Sequence, residues 1–423
     1  MKQPLHARTY WNTNAREWTA VVCCLGMIAG LFFSRVLLSV SMIVMLLNSL
    51  HPRTVSMHWS AWKKNAFALL CFAFFLTYLI SGLWSSNKAF WLAGTINKLP
   101  FAILPFAFLS APLYRPKYQR VLVTGIVILQ ILVIGYSLVR LGLNTDYYLE
   151  GYSYSRPLPT TKYNDHIRFS LSLVLSGLMI CYLLFERKEE RLSKWLRIFL
   201  AASLVLFIIY IHVLAAKTGL LNLYIAAIVY LVYKVSGRSR ALAWTLAAGV
   251  AALPLIAYYT IPTFQTKVAY VIYEIERIRS AQRYNYTLSD EGRMITYEIG
   301  AKAIAAHPLL GVGAGDVMDE MKQGYARYYP EVTPDQQYGP INQPMFTALC
   351  VGIPLALVLI VLMLSPFFMR MAESGYLRIT TLVMLLSCMV ESMLELQFGV
   401  FAYLFFILFW ISALRKQTAV NSA

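Results

Sequence analysis

The chain has 423 residues, of which 59% are apolar and only 13% are charged, and its formal net charge is +17. The charged share is about half of what a soluble domain carries, so the composition excludes a water-soluble enzyme with one buried core. It also excludes a disordered chain. A polytopic membrane protein remains, and the basic excess has to be explained before a nucleic-acid partner is dismissed.

Apolar runs of membrane-spanning length follow one another along the chain. A bilayer core of about 30 Å is crossed by roughly 20 apolar residues in a helix. The first run has no small-residue cleavage site, so we expect a retained signal anchor. The sequence predicts an all-α polytopic membrane protein with about twelve transmembrane helices, centred on 18–34, 36–50, 66–83, 101–112, 121–140, 168–185, 196–214, 219–233, 242–260, 346–367, 377–390 and 398–414.

The basic residues are concentrated in alternate loops. With the N-terminus inside, the cytoplasmic segments hold more than half of the 37 Lys and Arg residues but only a quarter of the 20 Asp and Glu residues. An excess of Lys and Arg marks the cytoplasmic ends of membrane helices. The basic excess is therefore a topology signal, both termini are predicted to be cytoplasmic, and no nucleic-acid partner is expected.

One outer loop is long enough to have structure of its own. Within it, apolar residues at helical spacing over 264–284 predict an amphipathic helix that lies on the membrane surface or against the bundle. A second helix is predicted over 291–306, with a cap at Ser289 or Asp290. The chain is thus divided into transmembrane helices 1–9 over 1–260, a large, partly helical periplasmic loop over 261–345, and transmembrane helices 10–12 with a short cytoplasmic tail over 346–423.

Neither the cysteines nor the glycines predict a bound cofactor. All six cysteines lie in apolar stretches without metal-ligand spacing, so we predict no metal site and no disulfide. The sequence GVGAGD over 311–316 follows a helix and lacks the Lys-Ser/Thr of a phosphate-binding loop. We therefore interpret it as a tight turn that needs glycine for its geometry.

Two basic residues near the outer face are the first candidates to contact an anion. Lys217 lies in a short turn between two spans. Its side chain could simply extend from the membrane edge to water, or it could bind an anion beside a helix N-terminus. Arg293 lies at the start of a loop helix, where a cation opposes the helix dipole. A guanidinium binds phosphate through two parallel hydrogen bonds. An ion pair of Arg293 with Asp290, Glu291 or Glu298 is the structural alternative.

Acidic residues are also expected at the outer membrane face, where charge is costly and usually paired or functional. Glu391 and Glu395 are four residues apart in ESMLELQFGVF and would share one face of the eleventh helix. Two roles fit them equally: an ion pair with a basic residue, or contact with a substrate. The basic partners would be Arg293, Lys217 or Arg35. A similar polar cluster opens the sixth span and consists of Asp165, His166 and Arg168.

The order of these elements resembles the O-antigen ligase and polymerase superfamily of bacterial glycan transferases. GRMITYEIGAKAIAAHPLLGVGAGD resembles the family's Arg-led helix, which is followed by a Pro and a Gly-x-Gly turn. INQPMFTALCVGIPL resembles a helix start that usually begins with His-Asn, and NDHIRFSL and ESMLELQFGV are similar to sequences of one branch of the family. The resemblance covers most of the chain, because the helices, the short basic turn and the long loop follow in the same order.

The resemblance implies a glycosyltransferase at the periplasmic face of the bacterial inner membrane. Such proteins work among membrane lipids and move a glycan from undecaprenyl diphosphate to a glycan, lipid A core or protein acceptor, with inversion at the anomeric carbon. Arg293 falls on the family's diphosphate-binding arginine, and Lys217 falls on a second position that is usually arginine. Two fixed cations would stabilise the departing diphosphate without a metal or another cofactor.

One position departs from the family pattern. Where the family has the His of His-Asn as general base, this chain has Ile341, which cannot accept a proton. Either another group acts as the base, or the acceptor needs little help because an activated diphosphate leaves early, or the protein is not a catalyst. The first candidates to replace the His are Glu391 and Glu395, followed by His166 and Asp165. The remaining residues expected to line the cavity are Arg35, Asp165, Arg168, Asn342 and Gln343.

Three functions are compatible with these observations. The leading interpretation is a ligase, and a polymerase of the same superfamily differs from it only in the acceptor. A non-catalytic protein that binds or transports a lipid-linked glycan is the third, and Ile341 favours it. A transporter is expected to show inverted repeats around a midplane site. The sequence has no strong repeat and its polar residues gather at the outer face, which favours transfer.

Overall fold

The computed structural model describes residues 6–153, 158–161, 165–186, 192–235, 240–280, 284–369, 371 and 374–414. In these ranges the backbone is helical with turns and contains no strand. Parts of the predicted outer loop 142–167 lie outside the described residues. So do several of the charges that indicate orientation: Lys2, Arg187, Lys188, Glu189, Glu190, Arg191, Arg238, Arg370, Glu373, Arg415 and Lys416.

The described part of the chain forms seventeen α-helices in this order: α1 His6–Phe33, α2 Arg35–Ser49, α3 Val55–Lys63, α4 Ala66–Ser81, α5 Lys88–Ala107, α6 Pro116–Leu143, α7 Thr145–Tyr152, α8 His166–Phe185, α9 Lys194–Leu214, α10 Lys217–Val235, α11 Arg240–Thr260, α12 Pro262–Ser280, α13 Ser289–Ala306, α14 Val317–Tyr328, α15 Gln343–Leu364, α16 Gly375–Val390 and α17 Gln397–Ala413. Short 3₁₀ turns occur at Phe108–Ser110, Pro334–Gln336, Ser365–Phe368 and Met393–Glu395.

Several of these helices are long and apolar enough to cross a membrane. Within the described ranges there are 6 such helices, namely α1, α5, α6, α8, α9 and α15, and the pair α3–α4, bent by 83°, makes 7 if it is one span. Shorter apolar helical stretches occur in α2, α11, α16 and α17. The chain is therefore an all-α, multi-pass membrane protein. Every predicted apolar run overlaps a helix, but the twelve transmembrane helices are not confirmed.

Helix α5 differs most from its predicted extent. The sequence indicates an interrupted run over 101–112, whereas the helix begins at Lys88 and continues through Pro100 and Pro105. Proline removes one backbone donor, but membrane helices tolerate it where neighbouring elements satisfy the freed groups. Helix α5 packs against α2, α4 and α17, so its prolines are enclosed by protein.

The outer loop contains the two predicted helices and a third. Helix α12 confirms the helix predicted over 264–284, and its apolar Ile272 and Ile275 are 52% and 43% exposed. Glu274 on the other side is fully buried, so the polar face of α12 packs inwards. Helix α13 confirms the second prediction, but its predicted cap is wrong because the backbone before it is extended at Leu288 and no side chain caps it. Helix α14 was not predicted.

The predicted glycine turn docks into a break in α15. Gly352 has φ 81 inside that helix, a left-handed conformation that favours glycine. The N–H of Gly313 donates to the carbonyl of Cys350 at 2.9 Å, and the N–H of Ile353 donates to the carbonyl of Pro308 at 2.8 Å. The interpretation of 311–316 as a tight structural turn is confirmed, and the turn locks the outer loop onto a membrane helix.

Helix α17 occupies the centre of the bundle. It packs against α5, α8 and α16, and nearly all of its residues from Phe398 to Ala413 are buried. A helix that is apolar on every side is typical of such a position. Because α16 also packs against α15, the short connection from α16 to α17 is held at the same end of the bundle as the start of α15.

Candidate functional site

One cavity is lined by three basic side chains, Lys217, Lys267 and Arg293, together with His166. We call it the cationic cavity. Its volume is about 160 Å³, and its lining comes from the starts of α8 and α10, the end of α9, and the loop helices α12 and α13. The structure thus brings together the two predicted cations and His166, one of the predicted catalytic candidates. The glycine turn lies elsewhere, against α15 and the connection from α4 to α5.

Lys217 is held in a fixed position at the cavity wall. It begins α10 directly after a tight turn in which Ala215 adopts the left-handed conformation with φ 47. Its ammonium group pairs with Glu274, which is fully buried, and with Asp290 at 2.7 Å. Glu274 also accepts a hydrogen bond from the hydroxyl of Tyr270 at 2.9 Å. These contacts orient the lysine, so it is not simply a side chain extended towards water.

The backbone adds to the positive potential of the cavity. Helix α10 begins at Lys217, and Thr218 in its first turn lines the cavity. Helix α13 begins at Ser289, which also lines it. The first N–H groups of a helix have no partner within the helix and carry partial positive charge, so they bind anions. At the start of α13, however, the N–H of Ser289 donates to the Tyr270 hydroxyl at 3.4 Å and that of Asp290 to the Glu274 carboxylate at 3.1 Å. The start of α10 and three cations therefore surround one small space.

Arg293 lies in the second turn of α13 and reaches the neighbouring helix α16. One of its guanidinium nitrogens donates to the carbonyl of Val390 at 3.2 Å. The alternative role predicted for Arg293 was an ion pair within the loop. The structure does not show that pair, because the three proposed acidic partners pair with other cations. Asp290 pairs with Lys217 at 2.7 Å, Glu291 with Arg277 at 3.5 Å, and Glu298 with Lys302 at 2.6 Å.

Lys267 is a functional candidate that the sequence analysis missed. Its ammonium group lies 4.4 Å from the centre of the Tyr270 ring. Burial, and secondly the nearby charge of Lys217, lower the pKa of Lys267 to about 8. The available signal was the spacing of Lys267, Tyr270 and Glu274, which places all three on one face of α12.

A second cavity meets the first one at Ser289 and Arg293, which line both. We call it the tyrosine cavity, because Tyr286, Tyr325 and Tyr338 line it. Its volume is about 270 Å³, and its lining also includes Gln336, Ile341 and Glu391. Aromatic rings with hydroxyl and amide groups offer both apolar faces and hydrogen-bonding groups to a ligand. Ile341 and Arg293 therefore line the same cavity.

Glu391 links the tyrosine cavity to the polar cluster at the start of α8. It follows α16 directly, is 8% exposed, and pairs with Arg168 at 3.2 Å. Arg168 pairs in turn with Asp165 at 2.7 Å. The three side chains form a row of alternating charge, in which Glu391 is the member that lines the cavity.

The prediction that Glu391 and Glu395 share one helix face is wrong. Helix α16 ends at Val390, the backbone of Glu391 is extended, and a short 3₁₀ turn over Met393–Glu395 leads into α17. The periodicity misled the prediction because the chain has to reverse direction between two antiparallel helices within these few residues. The two carboxylates consequently face different spaces.

Glu395 is enclosed by hydrogen-bond donors. Its carboxylate pairs with the fully buried Lys98 at 2.7 Å and accepts hydrogen bonds from the Tyr78 hydroxyl at 2.9 Å and the Gln343 amide at 2.7 Å. It lines a separate groove, and Arg35 lines the same groove. The structure thus separates Glu395 and Arg35 from the two cavities.

Asn342 and Gln343 hold the start of α15 in place. The side-chain oxygen of Asn342 accepts the N–H of Met345 at 2.9 Å, and its amide donates to the carbonyl of Met389 at 2.7 Å. Gln343 is fully buried and accepts the N–H of Leu394 at 2.7 Å. Neither belongs to the described lining of the cationic or tyrosine cavity, so the expectation that they line the substrate cavity stays a prediction. The same holds for Arg35, Asp165 and Arg168.

Comparison with known proteins gives one partial family match and no individual relative. No curated protein matches the chain. Residues 202–360 match a family model described as O-antigen ligase. This stretch runs from α9 into α15, so it contains Lys217, Lys267, Arg293 and Ile341 but ends before Glu391. The match covers less than half of the chain and supports its resemblance to the O-antigen ligase superfamily.

Proposed function

We propose that the protein transfers a glycan from undecaprenyl diphosphate to an acceptor at the periplasmic face of the bacterial inner membrane, as an inverting and metal-independent ligase. The observation that carries this proposal is the cationic cavity, in which Lys217, Lys267 and Arg293 surround one space beside the start of α10. A departing diphosphate gains negative charge, and fixed cations around it lower the barrier because they need no reorganisation.

The arrangement of the two cavities supports a division of roles. Inversion requires that the acceptor approaches the anomeric carbon from the side opposite to the leaving group. The diphosphate would occupy the cationic cavity, and the reacting sugar and the acceptor would occupy the tyrosine cavity. Arg293 lines both, so it would hold the phosphate next to the bond that breaks. Its planar guanidinium can grip two phosphate oxygens at once.

Glu391 is the best-supported replacement for the missing His. A general base has to lie on the acceptor side, and Glu391 shares the tyrosine cavity with Ile341. Arg168 would keep the carboxylate in position. His166 lines the cationic cavity instead, where it would face the leaving group. Glu395 lines neither cavity and is engaged by Lys98, so we do not assign it a catalytic role.

Transfer by purified protein tests the proposal. The protein is incubated with an undecaprenyl-diphosphate-linked glycan and with glycan, lipid A core or protein acceptors, and products are identified by mass spectrometry. Arg293→Ala should abolish transfer, and Arg293→Lys should impair it, because a point charge does not reproduce the planar fork. Arg327→Ala, at an exposed arginine of the same loop, is the matched control and should be fully active. Undiminished transfer by Arg293→Ala would contradict the proposal.

The other two functions are separated by the same assay. A polymerase would lengthen the lipid-linked glycan when no other acceptor is added, whereas a ligase would not. A non-catalytic glycan-binding protein, which Ile341 favours, would bind the donor and form no product with any acceptor. Donor binding without transfer, together with loss of binding in Arg293→Ala, would therefore keep the cationic cavity and remove the enzymatic function.

A further inference from the structure

Two carboxylates pair with Lys217 in the wall of the cationic cavity, and they differ in how firmly they are held. The side chain of Glu274 is fully buried, whereas that of Asp290 is 30% exposed. Asp290 is the second residue of α13, and its carboxylate lies 2.7 Å from the ammonium nitrogen of Lys217. The two carboxylates therefore need separate explanations.

Glu274 is a fixed partner of Lys217. One of its oxygens accepts hydrogen bonds from the Tyr270 hydroxyl at 2.9 Å and from the backbone N–H of Asp290 at 3.1 Å, and the other accepts from Lys217. A buried carboxylate that gave up these donors would have nothing to compensate for its lost contact with water. Glu274 thus holds α12, the start of α13 and Lys217 together.

Asp290 can leave Lys217 at a much smaller cost. Its side chain is already partly in contact with water, and ion pairs of exposed side chains contribute little to stability. A carboxylate in the first turn of a helix is also stabilised by the helix dipole. Asp290 would therefore remain in a favourable position at the start of α13 after its side chain has turned towards water.

Asp290 occupies a hydrogen-bonding position on Lys217 that a phosphate also needs. An ammonium group has three N–H donors, and two of those of Lys217 are directed at carboxylates. A phosphate in the cationic cavity, which Lys217 lines, would have one donor left to it and would lie beside the charge of Asp290. When Asp290 turns away, a second donor becomes available and the like charge moves off.

We propose that Asp290 is an internal competitor of the donor: the diphosphate replaces it on Lys217, and Asp290 returns when undecaprenyl diphosphate leaves after transfer. The inference rests on the proposed function, because it takes the cationic cavity to be the site of the diphosphate. Exchange of one anion for another lowers the affinity for the donor. It equally favours release of the leaving diphosphate, which the cations of the cavity would otherwise retain.

Isothermal titration of a short-chain polyprenyl diphosphate into the purified full-length protein at pH 7 tests this inference. Asp290→Asn removes the charge with almost no change in shape and should raise the affinity about fivefold, the contribution of one partly exposed ion pair. Misfolding would not produce a gain in affinity. Glu298→Gln is the matched control, because Glu298 lies on the same helix, pairs with Lys302 at 2.6 Å and has a side chain that is 37% exposed. Its affinity should equal that of the unmodified protein.

A double-mutant cycle separates competition for Lys217 from a general repulsion of the diphosphate. In Lys217→Met, Asp290 is no longer held beside the phosphate, so the addition of Asp290→Asn should change the affinity less than twofold. A general repulsion would give the same fivefold gain with or without Lys217. That result, or an equal gain in Glu298→Gln, would overturn the proposal.

The same titrations distinguish a failure of this inference from a failure of the proposed function. If the unmodified protein does not bind the diphosphate, the proposed function and this inference are both wrong. If binding is lost in Arg293→Ala but unchanged in Asp290→Asn, the cationic cavity keeps its proposed ligand and the inference about Asp290 alone is overturned.

Discussion

The pH dependence of donor binding should depend on Lys267. This lysine lines the cationic cavity, and burial together with the charge of Lys217 lowers its pKa to about 8. The other charged groups that act on Lys267 are Glu274, Asp290 and Arg293. Below pH 8 the ammonium form predominates and attracts the diphosphate. As the pH rises through 8 the proton is lost, so one of the three cations disappears and donor binding should weaken.

The size of this effect follows from linkage. A bound diphosphate favours the charged form and would restore the pKa of Lys267 towards the ordinary lysine value of about 10.4. With a free-protein pKa of about 8, the affinity at pH 9 should then be about tenfold below that at pH 7. Lys267→Arg keeps its charge throughout this range and should remove the step. Lys267→Met should bind weakly at both values of pH.

Isothermal titration of a short-chain polyprenyl diphosphate from pH 6.5 to 9 measures this step directly. His166 also lines the cavity, so the profile should be repeated with His166→Gln, in which the step is expected to remain. A tenfold step that persists in Lys267→Arg would show that another group titrates, and the reasoning about Lys267 would be refuted.

Three further predictions concern the surroundings of the cavities. Glu391→Gln should reduce transfer about 100-fold or more, as expected for a general base, while donor affinity stays unchanged; normal transfer would remove Glu391 from the mechanism. Glu395→Gln leaves the fully buried Lys98 without its carboxylate, so it should lower the free energy of unfolding by about 3 kcal/mol. The double variant Lys98→Met/Glu395→Met should recover part of this loss, and an unchanged unfolding temperature in Glu395→Gln would contradict the prediction. Gly352→Ala should lower the free energy of unfolding by about 2 kcal/mol, because the φ of this residue is 81 and the added carbon would lie 2.1 Å from the Leu309 carbonyl oxygen. Wild-type stability would show that the docked turn can move to make room for the added carbon.

The helices could be predicted from sequence because each apolar run is long relative to its polar connections. The prediction was least accurate where helix ends are decided by tertiary contacts. Pro105 predicts the end of a helix, yet α5 continues through this proline because three neighbouring helices enclose α5. The bend of 83° between α3 and α4 depends on how Val55–Lys63 meets the bundle, and no local pattern encodes that angle.

The candidate site was predicted in part. Lys217 and Arg293 stood out because charge near a membrane face is costly, and the structure does place them at one cavity. Lys267 was missed because it lies in a helix with many polar residues, where one more lysine is unremarkable in sequence. The separation of Glu391 from Glu395 could not be seen either, since their spacing of four residues fits a helix and only the fold shows that the chain turns between them.

The position of the donor diphosphate is the most direct test of the account. A cryo-electron microscopy structure of the full-length protein with undecaprenyl diphosphate would show it. The account predicts phosphate density among Lys217, Lys267 and Arg293, with the terminal phosphate directed towards the tyrosine cavity. Diphosphate density at any other place would contradict it.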